Sequence, residues 1–459
     1  MRTDLPEAGP AHRERRRDRL DLAAALGGAL LVVAAALTGR YLEDTYGNLH
    51  VGWPPLYANW LPHVGPGTLP ALALAALLVA YGPALAARLP WRGLLAASWA
   101  GATTWIVALA LVDGWHRGIA VRLTTRYEYL QVIDRFHDIP ATLRDFTHHI
   151  LIDSPDHWPA HTAGHPPAAT LTFVLLDRIG LRGGGWAGMW CIVVGATACV
   201  AVLVTVRALA GEETARRAAP FLVAAPGAVW MGASADAYFA AVAAWSVALL
   251  ALAVTGRGTG WAAGAGLLYG LTCYLSYGLT LVAVIGAAVL VIGHREVRRR
   301  PAQLLLLLLA GAAVVPVTFT LLGFDWWEAY HVLITRYYQG AGGIRPYGYW
   351  VWANLACTVL IVGPATVAGL RRAVTRLFTP GARAAPGESR PLALLVTAAL
   401  TALLIADLSG MSKAETERIW LPFAVWLLPA CALLPRPRAW TAAQVTLALL
   451  VNHLLLTGW

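Results

Sequence analysis

Repeated apolar runs, each roughly 16 to 22 residues long, constrain this chain more than any other feature. A helix needs about 20 such residues to cross the hydrocarbon of a bilayer. The runs fall near 22–40, 69–88, 94–113, 184–206, 217–233, 236–255, 261–276, 277–293, 303–322, 350–369, 391–408, 420–435 and 439–457, about thirteen in all. Of the 459 residues 58% are hydrophobic and only 13% charged, and the mean hydropathy is +0.59. These totals exclude an ordinary soluble enzyme, and one signal peptide cannot account for the repetition. The expected fold is an all-α polytopic transmembrane bundle.

A net charge of +10 would point to nucleic acid in a soluble protein. Here the arginines cluster in short loops between apolar runs, which is the positive-inside bias of membrane proteins. No nucleic-acid module is visible. The five cysteines lie within or beside apolar runs without CxxC spacing, so they read as buried apolar residues.

Residues 1–20 are polar and arginine-rich (HRERRRDR, His12 to Arg19) and read as a disordered cytoplasmic tail. Residues 21–459 read as one membrane domain. With the N-terminus inside, the loops Arg88–Arg92, Arg207–Arg217, His294–Arg300, Arg371–Arg390 and Arg436–Arg438 all face the cytoplasm if the 167–180 segment does not fully cross. That favours a half-inserted or surface-lying helix there. In a second solution it crosses, and Trp261 to Gly293 makes one span. In the favoured topology 41–68, 113–166, 323–349, 409–419 and the turn at Asp236 open on the outer face. Their non-basic polar residues would then converge on one side of the bundle.

The 113–166 loop concentrates the chemistry-bearing residues. It holds Asp113, the tripeptide Tyr127-Glu128-Tyr129 and a charged, helix-like run (LQVIDRFHDIPATLRDF). It ends on Gly164-His165-Pro166-Pro167, which opens the next apolar segment. His157, His161 and His165 stand four apart, as metal ligands on one helix face would. Pro159 interrupts the run, however, and neither HExxH nor a DxD pair accompanies it, so a divalent metal is possible in principle but unsupported.

An acid beside a tyrosine in a large outer loop, followed by His-Pro-Pro at the head of the next helix, resembles the GT-C superfamily of membrane glycosyltransferases. The likeness is to its protein-mannosyltransferase-like, aminoarabinose-transferase-like and actinobacterial polyprenyl-phosphate-sugar-dependent branches. Pro226 followed by Ser234-Ala235-Asp236 is similar to that family's proline-then-aspartate step, and the resemblance covers residues 94–255. Two features depart from it. Tyr127 stands where the family often has an aspartate, and the loop follows the third span, which makes 22–88 an added N-terminal hairpin.

The resemblance implies transfer of one sugar, with inversion, from a polyprenyl-phosphate donor to a glycan, lipid or protein acceptor of the cell envelope. The reaction would occur on the outer face of the cell membrane. A carboxylate would take the acceptor hydroxyl's proton, and either Glu128 or Asp113 could serve, with Asp236 as a second acid. The departing lipid phosphate needs cations. Candidates are Arg345 (GGIRPYGYW), Lys413 and Arg418 (SGMSKAETERIWLPF), with His165 and Tyr129 also touching substrate. For Arg418 the plainer alternative is interfacial snorkelling, or a pair with Glu415 or Glu417.

Two rival classes remain open. One is a transporter or flippase of lipid-linked sugars, for which the Gly-rich stretch 261–278 is the best sign, although close helix packing explains it more simply. The other is an inactive scaffold that keeps the fold.

Overall fold

A computed structural model describes residues 10–378 and 390–458. Residues 1–9 of the basic tail and 379–389 of the Arg371–Arg390 loop lie outside the described residues. Among the described residues eight helices are long and apolar enough to cross a membrane: Glu14–Tyr46, Thr68–Arg88, Trp91–Asp113, Gly184–Ala210, Ala235–Ala253, Pro301–Leu321, Tyr347–Phe378 and Arg390–Leu408. Tyr277–Ile292 and Leu421–Leu433 are shorter apolar helices. Among the described residues the only strands are Ala58–Trp60 and Leu455–Thr457, paired antiparallel with Ala58 opposite Thr457.

Prolines and glycines explain why some expected runs are not continuous helices. The 217–233 run becomes the helix Glu212–Val223 and the single turn Ala228–Met231, parted at Ala225-Pro226-Gly227. Pro226 has no N–H to continue the ladder, and the Ala225 carbonyl accepts both the Ala228 N–H at 3.1 Å and the Trp105 indole N–H at 3.3 Å. The 420–435 run, with Pro422 and Pro429, divides in the same way. Trp261–Leu275 is a helix of 15 residues laid tightly along Pro301–Leu321. A Cβ on Gly266 would come within 2.0 Å of the Leu308 carbonyl, and one on Gly311 within 2.0 Å of that of Ala263. This is the small-residue contact that lets membrane helices touch backbone to backbone.

The basic groups meet at one end of the bundle. Asp21 accepts from Arg371 and from Arg372, whose Nε lies 2.9 Å away. Arg436 reaches Asp18 at 3.3 Å, and Arg372 also holds the Leu433 carbonyl at 3.0 Å. Arg216 donates to the carbonyls of Ala86 and Leu89 at 2.9 and 2.8 Å, and Arg207 lies 4.3 Å above the Trp91 ring. For the described part of the tail, 10–20, the clasp on Asp18 and Asp21 corrects the expected disorder: helix begins at Pro10. Charged composition alone disfavours order, but Asp21 finds its partner 350 residues away, and Asp18 pairs with Arg436, farther still.

The other end collects 41–68, 113–166, 323–349 and 409–420. There Arg345 Nε donates to the Leu49 carbonyl at 2.9 Å, Tyr57 N–H to Glu417 at 2.9 Å, and Leu61 N–H to the Leu454 carbonyl at 3.0 Å. The 167–180 segment forms the 11-residue helix Ala168–Arg178. At 1.5 Å per residue it is about 16 Å long, half the hydrocarbon thickness. Arg178 ties it to the 113–166 loop through the carbonyls of Phe136 (2.7 Å) and His137 (3.0 Å). Trp261 and Gly293 both lie at the basic end, since Gly293 packs on Val254. Between them, Cys273 reaches the opposite end, where its carbonyl accepts from Trp326 at 3.0 Å. The chain therefore goes out and back over 261–293.

Candidate active site

Four side chains from four distant segments interlock at this end. Glu128 precedes a 3₁₀ helix, Tyr129–Phe136, and His161 sits on the short helix Ala160–Gly164. Asp236 lies in the first turn of Ala235–Ala253, whose N-terminus is capped by Ser234 Oγ accepting the Asp236 N–H at 3.2 Å. A carboxylate is favoured there by the helix dipole. Arg418 is on the turn Thr416–Ile419 that leads into the Leu421 segment.

Arg418 Nη1 donates to Asp236 Oδ2 at 2.5 Å and Nη2 to His161 Nε2 at 2.9 Å, with Glu415 Oε2 3.4 Å from Nη2. His161 Nδ1 lies 2.8 Å from Glu128 Oε1. Guanidinium can only donate, so His161 Nε2 accepts and the ring proton sits on Nδ1, directed at Glu128. The result is a chain: Asp236, Arg418, His161, Glu128. Glu128, Asp236 and Arg418 are 5%, 4% and 6% exposed, so these are interior charges that survive only through their partners. Burial works against the charge on Arg418, but Asp236, Glu415 and Glu128 outweigh it and hold its pKa above the ordinary arginine value.

A small cavity opens beside this chain, lined among others by Arg122, Glu128, His161, Ser234 and Arg418. Glu128 Oε2 is buried and has no hydrogen-bond partner among the described residues. The second row is formed by Tyr129 and His165. His165 Nδ1 faces the His161 carbonyl at 2.8 Å and the Tyr129 hydroxyl at 3.1 Å. A carbonyl only accepts, so Nδ1 carries the proton. Burial pushes the His165 pKa down to about 4, and it raises that of the Tyr129 phenol; both are neutral at physiological pH.

Three non-glycine residues with left-handed backbones border the site: Ala233 (φ 55°), Ala414 (φ 70°) and Glu415 (φ 61°). Such conformations cost about 1–3 kcal/mol each and persist where surrounding contacts impose them. Glu415 is held between Arg418 and Arg345, the latter 3.3 Å away. Next to it Glu417, fully buried, accepts the Tyr57 N–H through Oε1, and burial lifts its pKa to about 7.

Of the residues singled out from sequence, the structure thus brings Glu128, Asp236, Arg418, His165 and Tyr129 together. Asp113 is not among the residues lining the cavity, and binds Arg122 Nη2 and His63 Nε2, each at 2.8 Å. Arg345 does not line the cavity; besides Leu49 it donates to the Lys413 carbonyl at 2.9 Å, which fastens three loops together. Lys413 does not line it either, and its Nζ donates to the Gly342 carbonyl at 2.8 Å. Both side chains fasten loops to one another here. Asp325 caps Trp326–Gln339, Glu43 accepts the N–H groups of Leu49 and His50, and Asp407 accepts from Asn354. Two contributors, His161 and Arg122, carried no distinctive signal. His161 had drawn notice only through its spacing from His157 and His165, and the described residues hold no cluster suited to a metal ion.

No family model matches the sequence, and no curated protein matches it. Among solved structures, it is similar to the Archaeoglobus fulgidus oligosaccharyltransferase in complex with zinc and sulfate, at 15% identity and TM-score 0.41, over 73% of this chain and 49% of that one. It is also similar to the archaeal oligosaccharyltransferase AglB from the same organism, in complex with an inhibitory peptide and a dolichol-phosphate, at 12% identity and TM-score 0.40, over 91% and 50%. The chain spans about half the length of these structures.

Proposed function

We propose that this chain is a polytopic membrane glycosyltransferase that moves one sugar from a polyprenyl-phosphate donor to a cell-envelope acceptor. The single observation that carries the reading is the buried Asp236–Arg418–His161–Glu128 chain ending on an unpartnered carboxylate oxygen in a cavity. Glu128 acts as general base: Oε2 takes the acceptor hydroxyl's proton as that oxygen attacks the anomeric carbon. The bond from that carbon to the phosphate oxygen breaks, with inversion, and its electron pair leaves on the lipid phosphate. His161 orients Glu128 through Oε1. Arg418, held by Asp236, counters the leaving charge.

The membrane topology we propose has the N-terminus and the basic end in the cytoplasm and the site at the outer face. It is supported by the gathering of Arg207, Arg216, Arg371, Arg372 and Arg436 at the end opposite Glu128. About thirteen passages then connect the two ends, the eight long helices being joined by shorter or broken ones. A transporter would place its charges near the midplane on broken helices, whereas here the linked charges stand at one end beside a cavity.

The test uses the full chain in liposomes with radiolabelled polyprenyl-phosphate mannose, glucose or arabinose and a cell-envelope extract. Wild type transfers label, and Glu128→Gln lowers kcat by about 10²–10⁴-fold while His161 keeps its acceptor. Equal transfer by both proteins would remove Glu128 as base. Absence of transfer from every donor, with counterflow of a soluble solute instead, would replace the enzyme by a carrier.

A further inference from the structure

We propose that Arg122 is the second cation for the donor phosphate and that Asp113 is its positioning residue rather than a base; this rests on the transfer reaction above. Arg122 lines the same cavity as Glu128 and Arg418, and it comes from the same loop as the base. Its Nη2 is fixed by Asp113 Oδ2 at 2.8 Å and its Nη1 by the Thr457 carbonyl at 3.3 Å. Its Nε is buried and has no hydrogen-bond partner among the described residues. A guanidinium held through Nη1 and Nη2, on a residue that lines the cavity and keeps a buried, unpaired Nε–H, is set up for an anion.

Charge balance points the same way. Arg418 is already shared between Asp236, Glu415 and the His161–Glu128 link, so its charge is largely answered within the chain. As transfer proceeds, the phosphodiester, with one negative charge, becomes a monoester approaching two. One shared guanidinium is a weak match for that change.

Asp113 is itself triply engaged. His63 Nε2 lies 2.8 Å from Oδ1, Arg122 holds Oδ2, and Arg117 Nε lies 3.8 Å from Oδ2. The other His63 nitrogen faces the Leu61 carbonyl at 2.8 Å, so the ring has acceptors on both sides. A carboxylate bound by three nitrogen-bearing side chains and absent from the cavity lining is poorly placed to collect a substrate proton. It is well placed to hold an arginine still.

Binding of the product lipid, polyprenyl phosphate, is measured by ligand-induced thermal shift on the detergent-purified full chain, alongside transfer kinetics. Arg122→Gln is expected to weaken lipid-phosphate binding and raise the donor KM by about tenfold or more. Asp113→Asn should shift both in the same direction by less, and Arg122→Lys should fall between wild type and Arg122→Gln. Glu128→Gln should lose kcat yet bind the lipid phosphate as wild type does. Arg122→Lys guards against misfolding, because it keeps the charge and is compared by melting temperature and monodispersity. The inference fails if Arg122→Gln binds lipid phosphate like wild type, or if Asp113→Asn loses kcat at unchanged donor KM, as a base would. Wild type that neither transfers sugar nor binds the lipid phosphate would instead overturn the glycosyltransferase reading.

Discussion

Replacing Arg418 by methionine tests whether the site is an electrostatic unit. The guanidinium has Asp236 at 2.5 Å, His161 at 2.9 Å and Glu415 at 3.4 Å, all around a residue that is 6% exposed. At an effective dielectric near 20, two unit charges about 4 Å apart attract by about 4 kcal/mol. Removing one member of a buried pair costs about 3–5 kcal/mol, chiefly because the other stays buried and uncompensated. Unfolding entropy scales with length, so for 459 residues 1 kcal/mol moves the Tm by roughly 1 °C. Arg418→Met should therefore lower the Tm by about 3–5 °C. Asp236→Asn removes the carboxylate that would be stranded, so the double variant should regain about 2 kcal/mol, or roughly 2 °C, relative to the sum of the two single changes. Intrinsic tryptophan fluorescence during heating reads this directly. Strictly additive effects, or an unchanged Tm for Arg418→Met, would mean that the two charges do not depend on each other, and the chain that links Asp236 to Glu128 would lose its basis.

Two further outcomes follow from the same geometry. Burial raises Glu417 to about 7 from an ordinary 4.5. The folded state thus favours its protonated form, and this contribution is complete below pH 4.5 and lost as pH rises through about 7. The difference, 7 − 4.5, corresponds to on the order of 3 kcal/mol. Glu417→Gln, which still accepts the Tyr57 N–H, should be more stable than wild type at pH 8.5 and similar at about pH 4; parallel melting curves at both would contradict this. Gly266→Val would drive a side chain into the Leu308 carbonyl, where even a Cβ comes within 2.0 Å, at a cost of about 1–3 kcal/mol or more. Its signature is a reduced yield of monodisperse protein in detergent, and wild-type behaviour would mean that the two helices separate easily.

What could be read in advance, and what could not, follows from how far each residue's partner lies along the chain. Hydropathy exposes helices because each one satisfies its own backbone, and Asp236 stood out because an acid at the head of an apolar run needs a reason. Arg418, at the mouth of Ile419-Trp420, stood out in the same way. Hydropathy alone did not show where runs are interrupted: Pro226 lies between Glu212–Val223 and Ala228–Met231, and Pro422 stands in the first turn of Leu421–Ala424. The helical start at Pro10 was illegible because the arginines that hold Asp21 are 350 and 351 positions away.

His161 shows the limit most clearly. Its ring joins Glu128, 33 residues earlier by its number, to Arg418, 257 residues later. Neither distance has a sequence signature, so the local repeat with His157 and His165 supplied a misleading one. Arg345 is the converse case. A lone arginine in an aromatic outer loop invites a ligand, yet its donors are taken by carbonyls of Leu49 and Lys413, which no pattern of side chains can announce. A charge at this surface therefore earns a binding role only when folding leaves one of its donors facing the cavity. By that criterion Arg122, one unremarked arginine among many, has a stronger claim than Arg345 or Lys413.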